Sequence, residues 1–202
     1  MKTIILLLIS LFIFISTLTY SQSEAENEIN QFRLELNKHF ADTASSPLPE
    51  AEKATFRGLD LYPIDLKYRI SAELIRTPGE DPFGMATTTE RLPVYVKYGE
   101  AHFNLHGKDI ILNIYQNIKL TESEEYRDYL FLPFNDLTNG EETYGGGRYI
   151  DLKIPAGDTI IIDFNQAYNP YCAYNHKYSC PVPPRENRME VEIRAGVKKP
   201  GK

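Results

Sequence analysis

The chain has 202 residues, of which 22 are Lys or Arg and 28 are Asp or Glu, so its formal net charge at pH 7 is −6. An acidic chain without a run of basic residues repels phosphate backbones, which argues against nucleic acid as a partner. The absence of tryptophan and the presence of 14 tyrosines make the phenol the main aromatic group that can also form hydrogen bonds.

The first 21 residues have the pattern of a cleavable signal peptide. Lys2 supplies a basic start, residues 4–15 are almost wholly apolar, and residues 16–21 are mostly small or polar. An apolar core this short falls below the roughly 20 residues that a membrane-spanning helix needs. We therefore expect export to the periplasm or the cell exterior and no integral membrane segment after cleavage. Residues 22–202, with a net charge of about −7 once Lys2 is lost, suffice for a single globular domain.

Two helices are predicted at the start of this domain. Apolar side chains recur at intervals of three and four residues between positions 23 and 40, which is typical of an amphipathic helix that packs across a sheet. These side chains are Ile29, Phe32, Leu36 and Phe40. A second, short helix is predicted for residues 49–56, because Pro49 stands near its first position, where proline is well tolerated.

From residue 66 onwards the apolar period changes to two, which is typical of strands. The alternating runs are residues 66–74, 93–98, 101–105, 109–116, 126–134, 148–154, 159–164 and 189–194. Glycine-containing turns at residues 98–100, 106–108 and 155–158 predict antiparallel hairpins between neighbouring runs. The predicted fold is therefore mainly β: a single antiparallel β-sandwich or partly open barrel, with one or two N-terminal helices.

Both cysteines lie in residues 167–187, a segment rich in Tyr, Asn and Pro that follows the predicted strand 159–164. In an oxidising compartment, Cys172 and Cys180 are expected to form a disulfide, which for so short a loop stabilises by roughly 2–3 kcal/mol. One alternative makes the two thiols and His176 zinc ligands, but this spacing is unusual and no fourth ligand is identifiable. Another is a catalytic thiol activated by His176. We predict no metal and no cofactor.

Several motifs carry a resemblance to a known family. They are FNDLTNGEETYGGG (residues 134–147), GGGRYIDL (145–152), IDFNQAYNPYCAY (162–174) and CPVPPREN (180–187). With these motifs the chain resembles the bacterial and archaeal family called domain of unknown function 1684, over about residues 27–198. The resemblance implies no activity. It does imply that the two cysteines and the Pro/Asn-rich segment between and after them belong to one unit.

Polar side chains near the cysteines are the candidate ligand-binding residues. Strand alternation places Tyr149 and Asp151 on the face opposite Arg148, and it places Asp163 and Asn165 together at the end of the next strand. The predicted ligand-binding set is Tyr149, Asp151, Asn165, Tyr168, Asn169, Tyr174 and Asn187. In the alternative interpretation, the polar residues of this region satisfy only the backbone of an irregular segment.

Two functions are compatible with these residues. The first is an exported module that binds a small polar ligand, such as a glycan or envelope fragment, between the tyrosines of residues 167–187 and residues 145–151. The lack of tryptophan weakens the glycan version. The second is a hydrolase or lyase that uses Asp163 or Glu186 as acid or base, with Arg148 holding developing charge. Convergence of these three side chains on a concave pocket would favour the enzyme.

Overall fold

The computed structural model describes the backbone of residues 2–201 and the side chains of residues 22–201. The signal peptide predicted for residues 1–21 lies outside the residues whose side chains are described. Within the described part of the chain, no helix is both long and apolar enough to cross a membrane.

Both predicted N-terminal helices form, but the first begins earlier than predicted and the second is shorter. Helix α1 spans Lys2–Ala41. Its inner face buries Ile29 and Phe40 almost completely, and the other two side chains of the predicted stripe are partly buried. Helix α2 spans Glu50–Lys53 and begins directly after Pro49. The apolar period of three to four residues therefore predicted correctly which face of α1 packs against the rest of the chain.

The described residues form one antiparallel sheet of seven strands in the order β6-β5-β4-β3-β1-β7, with β2 paired to β3. The strands are β1 Arg69–Arg76, β2 Phe83–Gly84, β3 Val94–Leu105, β4 Lys108–Asn117, β5 Tyr129–Phe134, β6 Arg148–Lys153 and β7 Thr159–Asp163. Short 3-10 helices cover Leu66–Tyr68, Leu120–Glu122, Glu124–Tyr126, Phe164–Gln166, Tyr171–Ala173 and Arg185–Asn187. The sheet curls into a half-barrel, so the predicted partly open barrel is confirmed.

On the open side of the half-barrel, the chain that follows β7 returns to the end strand β6. The Tyr149 amide donates to the Tyr168 carbonyl at 2.9 Å, and the Tyr168 amide donates back at 3.0 Å. The hairpin predicted at residues 155–158 is wrong, because β7 pairs with β1 and not with β6. The chain crosses the open side instead and brings Ile160 and Ile162 into the core.

The turn predicted at residues 98–100 is also wrong, because β3 runs through it without a break. The register of β3 against β4 shifts between Lys97 and Gly99, which marks a β-bulge. A Cβ at Gly99 would stand 2.7 Å from the carbonyl oxygen of Ile75 on β1. Glycine is needed here for the close approach of the neighbouring strand, not for a reversal of the chain. The turn at residues 106–108 is confirmed, with positive φ angles of 54° at His106 and 77° at Gly107.

The strand predicted for residues 189–194 does not form, although its alternation has the expected effect on burial. Met189, Val191 and Ile193 are buried in the core. The segment makes only scattered backbone hydrogen bonds, such as the one from the Leu137 amide to the Val191 carbonyl at 2.9 Å. Side chains occupy two further carbonyls of the segment: the Glu190 carbonyl accepts from Lys108, and the Ile193 carbonyl accepts from the buried guanidinium of Arg148.

The sheet has an apolar cluster on each face. The larger core includes Leu112, Ile114, Leu130, Leu132, Ile150 and Ile162. The smaller one, here called the aromatic cluster, consists of buried Met85, Tyr95, Tyr115, Phe131 and Tyr149, with Phe83, Tyr129 and Tyr168 packed against it. Because β6 contributes alternate residues to the two faces, it carries Arg148 on the side of the larger core, and Tyr149 and Asp151 on the side of the aromatic cluster.

Candidate functional site

Asp151 is the acidic group of the aromatic cluster. It lies on β6 directly opposite Phe131 of β5. The hydroxyls of Tyr129 and Tyr168 both donate to its Oδ1 atom, each at 2.7 Å. Among the described residues, no side chain or backbone group donates to Oδ2, and no Lys, Arg or His forms an ion pair with this carboxylate.

Asp151 is an exposed residue of β6, so water reaches its side chain. Burial among the surrounding groups nevertheless raises the pKa of Asp151, and this outweighs the opposite effect of the two phenol hydrogen bonds. The carboxylate thus contacts the phenols of Tyr129 and Tyr168 on one side and water on the other. Perturbed carboxyl groups in such places are candidates for binding or catalysis.

The two phenols beside Asp151 act as donors to it and remain protonated. Burial raises the pKa of both Tyr129 and Tyr168, and the negative charge of Asp151 raises them further. A phenol has a single proton, and both protons are directed at Asp151. What the site presents to a ligand is therefore two phenol oxygens and one carboxylate oxygen, all of which are acceptors.

Aromatic rings surround this set of acceptors. The Phe131 and Tyr149 ring centroids are 4.8 Å apart in an edge-to-face arrangement, and those of Tyr149 and Tyr168 are 5.8 Å apart. The hydroxyl of buried Tyr149 donates to the carbonyl of Pro181. Tyr149 therefore links β6 to the cysteine loop, by which we mean residues 167–187.

The cysteine loop is fixed to the segment before β3. The Thr88 amide donates to the Cys180 carbonyl at 2.8 Å, and the Cys180 amide donates to the Thr88 hydroxyl at 3.1 Å. Further along, the Val182 amide donates to the Ala86 carbonyl at 2.8 Å. These hydrogen bonds hold the second half of the loop beside the aromatic cluster.

Cys172 and Cys180 lie next to each other as two buried, unlinked thiols. The Cys172 amide donates to the Cys180 sulfur at 3.2 Å. A hydrogen bond from the Cys180 thiol lowers the pKa of Cys172 to about 6, with help from the Tyr144 hydroxyl, and the same bond raises the pKa of Cys180. The described residues contain no group of three or more His, Cys, Asp or Glu side chains that could hold a metal ion. The predicted disulfide stays a prediction.

The three candidate catalytic residues do not share a pocket. Arg148 is fully buried, and its guanidinium donates to Asp136 at 2.9 Å and to the carbonyls of Ile193 and Ala195. Asp163 is buried on another part of the core, where it accepts a hydrogen bond from Arg69 at 2.9 Å. Glu186 is exposed on a 3-10 turn. Arg148 and Asp163 are thus engaged in structural contacts, and the geometry does not assemble the hydrolase or lyase.

Two of the predicted asparagines serve as backbone clamps. Asn187 accepts from the Asn113 amide at 2.8 Å and donates to the Asn113 carbonyl at 2.8 Å. Asn165 accepts from the Asp65 amide and donates to the Asp65 carbonyl, both at 3.0 Å. Each side chain thereby replaces a strand partner for an otherwise unpaired stretch of backbone, as the alternative interpretation of the sequence expected for such residues.

Asn169 and Tyr174 connect the cysteine loop to α1 and to the end of the chain. The Asn169 amide donates to the Tyr174 hydroxyl at 3.1 Å and to the Lys198 carbonyl at 2.8 Å. The Tyr174 ring packs edge-to-face on Phe40 of α1, with centroids 4.7 Å apart. Of the predicted ligand-binding residues, the structure thus brings Tyr149, Asp151 and Tyr168 together at one place. It adds Tyr129, which the sequence prediction omits.

Comparisons with known proteins identify relatives without an assigned activity. Residues 54–198 match a family described as "Protein of unknown function (DUF1684)". The chain is similar to an uncharacterized protein of Haloarcula marismortui whose structure was determined by solution NMR. The two are 32% identical, the match covers 89% of this chain and 96% of the archaeal one, and the TM-score is 0.71. No curated protein matches the chain.

Proposed function

This chain belongs to the DUF1684 family of proteins of unknown function, and for it we propose the role of a binding module that holds a small polar ligand at Asp151. The observation that carries this proposal is the unequal use of the two carboxylate oxygens. Oδ1 accepts hydrogen bonds from Tyr129 and Tyr168, whereas Oδ2 has no donor among the described residues. A ligand that donates to Oδ2 and to the phenol oxygens would complete the site.

The energetics of Asp151 support a ligand in this place. Folding raises the pKa of this carboxyl group through burial, so the ionised form, which dominates at neutral pH, is held at a cost to stability. Carboxyl groups with a raised pKa are common at binding sites, and here the ligand would supply the cation or donor that Oδ2 lacks. Arg148 and Asp163 differ, since each has its ion-pair partner within the fold.

The location of this activity is proposed from the N-terminal sequence. Residues 1–21 have the features of a signal peptide, so we place the protein in the periplasm or outside the cell. The ligand is then a compound of the envelope or the extracellular medium. Glycans, amines and peptides are the classes to test first, because all of them carry hydrogen-bond donors. Phosphates and carboxylates are the matched negatives, because the site offers acceptors only.

We expect Asp151→Asn to abolish ligand binding and leave the free protein no less stable. The neutral amide still accepts from the two phenols but lacks the charge that binds the ligand. Because folding raises the pKa of Asp151, the ionised carboxyl lowers stability above the ordinary pKa of Asp, and a neutral side chain relieves that loss. The measurement is a thermal-shift screen of residues 22–202 with sugars, amines and short peptides.

The matched control is Asp158→Asn, which removes an equal charge from the exposed turn between β6 and β7. This variant should respond to the same compounds as the wild type. A compound that raises the melting temperature of wild type and Asp151→Asn equally binds elsewhere. If every active compound behaved in that way, Asp151 would not be the binding residue.

In the exported protein we expect Cys172 and Cys180 to be joined by a disulfide. The two thiols are buried side by side. By thiol–disulfide exchange, a disulfide-bonded oxidant would accept two electrons and two protons from them and would itself become a dithiol. Loss of a bridge across so short a loop costs about 2–3 kcal/mol. Dithiothreitol should therefore lower the melting temperature by about 5–10 °C.

The double variant Cys172→Ser/Cys180→Ser is the control for this effect and should be insensitive to the reductant. Mass spectrometry of protein purified from the periplasm or the medium, alkylated without reduction, provides the direct measurement. Recovery of both cysteines in the alkylated form would refute the disulfide, and it would leave the Asp151 site as the basis of the proposed function.

A further inference from the structure

An apolar groove of about 920 Å³ opens next to the aromatic cluster. Its apolar walls are Leu92, Val94, Tyr95, Ile118, Leu120 and Tyr126. All of these except Tyr95 are at least 36% exposed, and Leu92 reaches 62%. Several large apolar side chains that line one concavity are unusual on a protein surface and mark a place where an apolar group binds. The volume falls in the range of sites for small organic molecules.

The groove leads towards Asp151 along two lines of aromatic contacts. On one side, the Tyr126 ring packs edge-to-face on Tyr129 with centroids 6.1 Å apart, and the Tyr129 hydroxyl donates to Asp151. On the other side, Tyr95 packs on Phe131 at 5.7 Å, and Phe131 lies directly opposite Asp151 in the sheet. The apolar groove therefore lies at the end of the sheet where β3 begins and β4 ends, and Tyr95, Tyr126 and their ring contacts connect it to the acceptor site.

The charge of the acceptor site favours a cation over a neutral ligand. Asp151 has no positively charged partner among the described residues, and the rings of Tyr149 and Tyr168 stand close by. An ammonium group gains the charge attraction of the carboxylate as well as hydrogen bonds to it. A sugar hydroxyl gains only a hydrogen bond. The overall negative charge of residues 22–202, about −7, also attracts a cationic ligand, but more weakly.

The three charged residues of the groove carry a net charge of +1, so the groove itself does not attract a cation. Arg91, Lys119 and Glu122 lie at its edge. The Arg91 guanidinium is directed at Ser179 of the cysteine loop, with Nη2 donating to the Ser179 carbonyl at 2.8 Å. Lys119 and Glu122 carry opposite charges, so their contributions to the field in the groove largely cancel. Arg91 keeps its positive charge, because Ser179 is neutral, and the preference for a cation therefore comes from Asp151 alone.

We propose that the ligand is an amphiphilic organic amine, with its ammonium group against Asp151 and its apolar chain in the groove. This inference rests on the proposed function and gives it a ligand class. The head group meets the carboxylate and phenol acceptors, while the chain covers side chains such as Leu92 and Leu120. A purely polar ligand would leave the apolar groove empty, and a purely apolar ligand would leave Asp151 without a partner. One amphiphilic molecule would fill both.

Isothermal titration with n-alkylammonium ions of two to eight carbons, each below its critical micelle concentration, tests the proposal. We expect the affinity to rise by about two- to fourfold for each added methylene, because each one leaves water for an apolar wall. Alkyl carboxylates of equal length should bind at least about tenfold more weakly, because Asp151 repels them. Alkyl glucosides of equal chain length are the neutral comparison.

Variants in each half of the site separate the two claims. Leu92→Ser and Leu120→Ser should flatten the dependence on chain length and leave the affinity for ethylammonium unchanged. Leu34→Ser is the matched control and should retain the full dependence, since Leu34 lies on α1 with an exposure of 50%, between those of Leu120 and Leu92. Asp151→Asn should abolish binding of the whole ammonium series.

The outcomes distinguish the inference from the function on which it rests. Binding that depends on Asp151 but not on chain length, or glucosides that bind as tightly as ammonium ions, would overturn the amphiphilic amine and keep the binding module. Absence of any binding that depends on Asp151, with these compounds and with the sugars and peptides, would overturn both.

Discussion

Replacing Arg148 with methionine is expected to lower the free energy of unfolding by about 3–5 kcal/mol, the usual loss when one partner of a buried ion pair is removed. Both side chains of the Arg148–Asp136 pair are completely buried. Without the guanidinium, Asp136 would keep a buried charge with no cation beside it. The carbonyls of Ile193 and Ala195 would also lose their donor. Urea unfolding followed by circular dichroism measures the change.

Arg127→Met is the matched control for this prediction. Arg127 forms an ion pair with Glu124 on the surface, where both side chains are more than two thirds exposed, so its removal should change stability by at most about 0.5 kcal/mol. The double variant Asp136→Asn/Arg148→Met should lose less than the sum of the two single variants, because it leaves no unpaired buried charge. An Arg148→Met protein as stable as Arg127→Met would contradict the structural role given to Arg148.

Gly147→Ala is expected to destabilise the protein by about 2–5 kcal/mol, from backbone strain and overpacking together. Gly147 has a φ of 90°, and a Cβ there would lie 2.7 Å from the Phe134 carbonyl oxygen and 2.7 Å from Cγ of Pro183. The residue comes directly before β6. A backbone shift at this position would therefore also displace Tyr149 and Asp151. Thermal denaturation gives the stability change.

Gly157→Ala provides the control, since a Cβ at Gly157 has no heavy atom within 4 Å and its φ is not positive. This substitution should be neutral or should stabilise by a few tenths of a kcal/mol, through the lower entropy of the unfolded chain. Equal losses for the two alanine variants would mean that neither the positive φ nor the close contacts at Gly147 matter.

Local periodicity predicted those parts of the fold that local contacts determine. The stripe from Ile29 to Phe40 identified the packed face of α1, and alternation identified most of the strands. The turn at residues 106–108 was recognised because a two-residue reversal depends on its own backbone angles. In each case the information lies within one segment of the chain, so no knowledge of distant partners is needed.

Pairing across the sheet could not be predicted in the same way. Tyr95 and Phe103 are eight residues apart, and strict alternation would place both on one face. The bulge at Gly99 shifts the alternation by one residue, so Tyr95 enters the aromatic cluster and Phe103 enters the larger core. Only the approach of β1 to Gly99 distinguishes this bulge from a turn, and that approach is a property of the folded molecule.

In the candidate site, too, features within one strand could be predicted and contacts between strands could not. Tyr149 and Asp151 were predicted to share a face, because they belong to one strand, and Tyr168 was predicted from its place beside the cysteines. Tyr129 was missed, since it meets Asp151 only through the pairing of β5 with β6. The sequence pattern that could have identified Tyr129 is its alternation with Phe131 within β5, which places both on one face. Asn165 and Asn187 were predicted as ligand-binding residues, but their side chains are occupied by backbone groups far away in the chain.

The contacts of Arg148 also set the order in which the protein can mature. Its acceptors Ile193 and Ala195 lie 45 and 47 residues further along the chain. While a ribosome still holds residues 193–195, Arg148 has no such acceptors and the half-barrel cannot close around it. The nascent chain is therefore expected to stay open around Arg148 until these residues have left the ribosome.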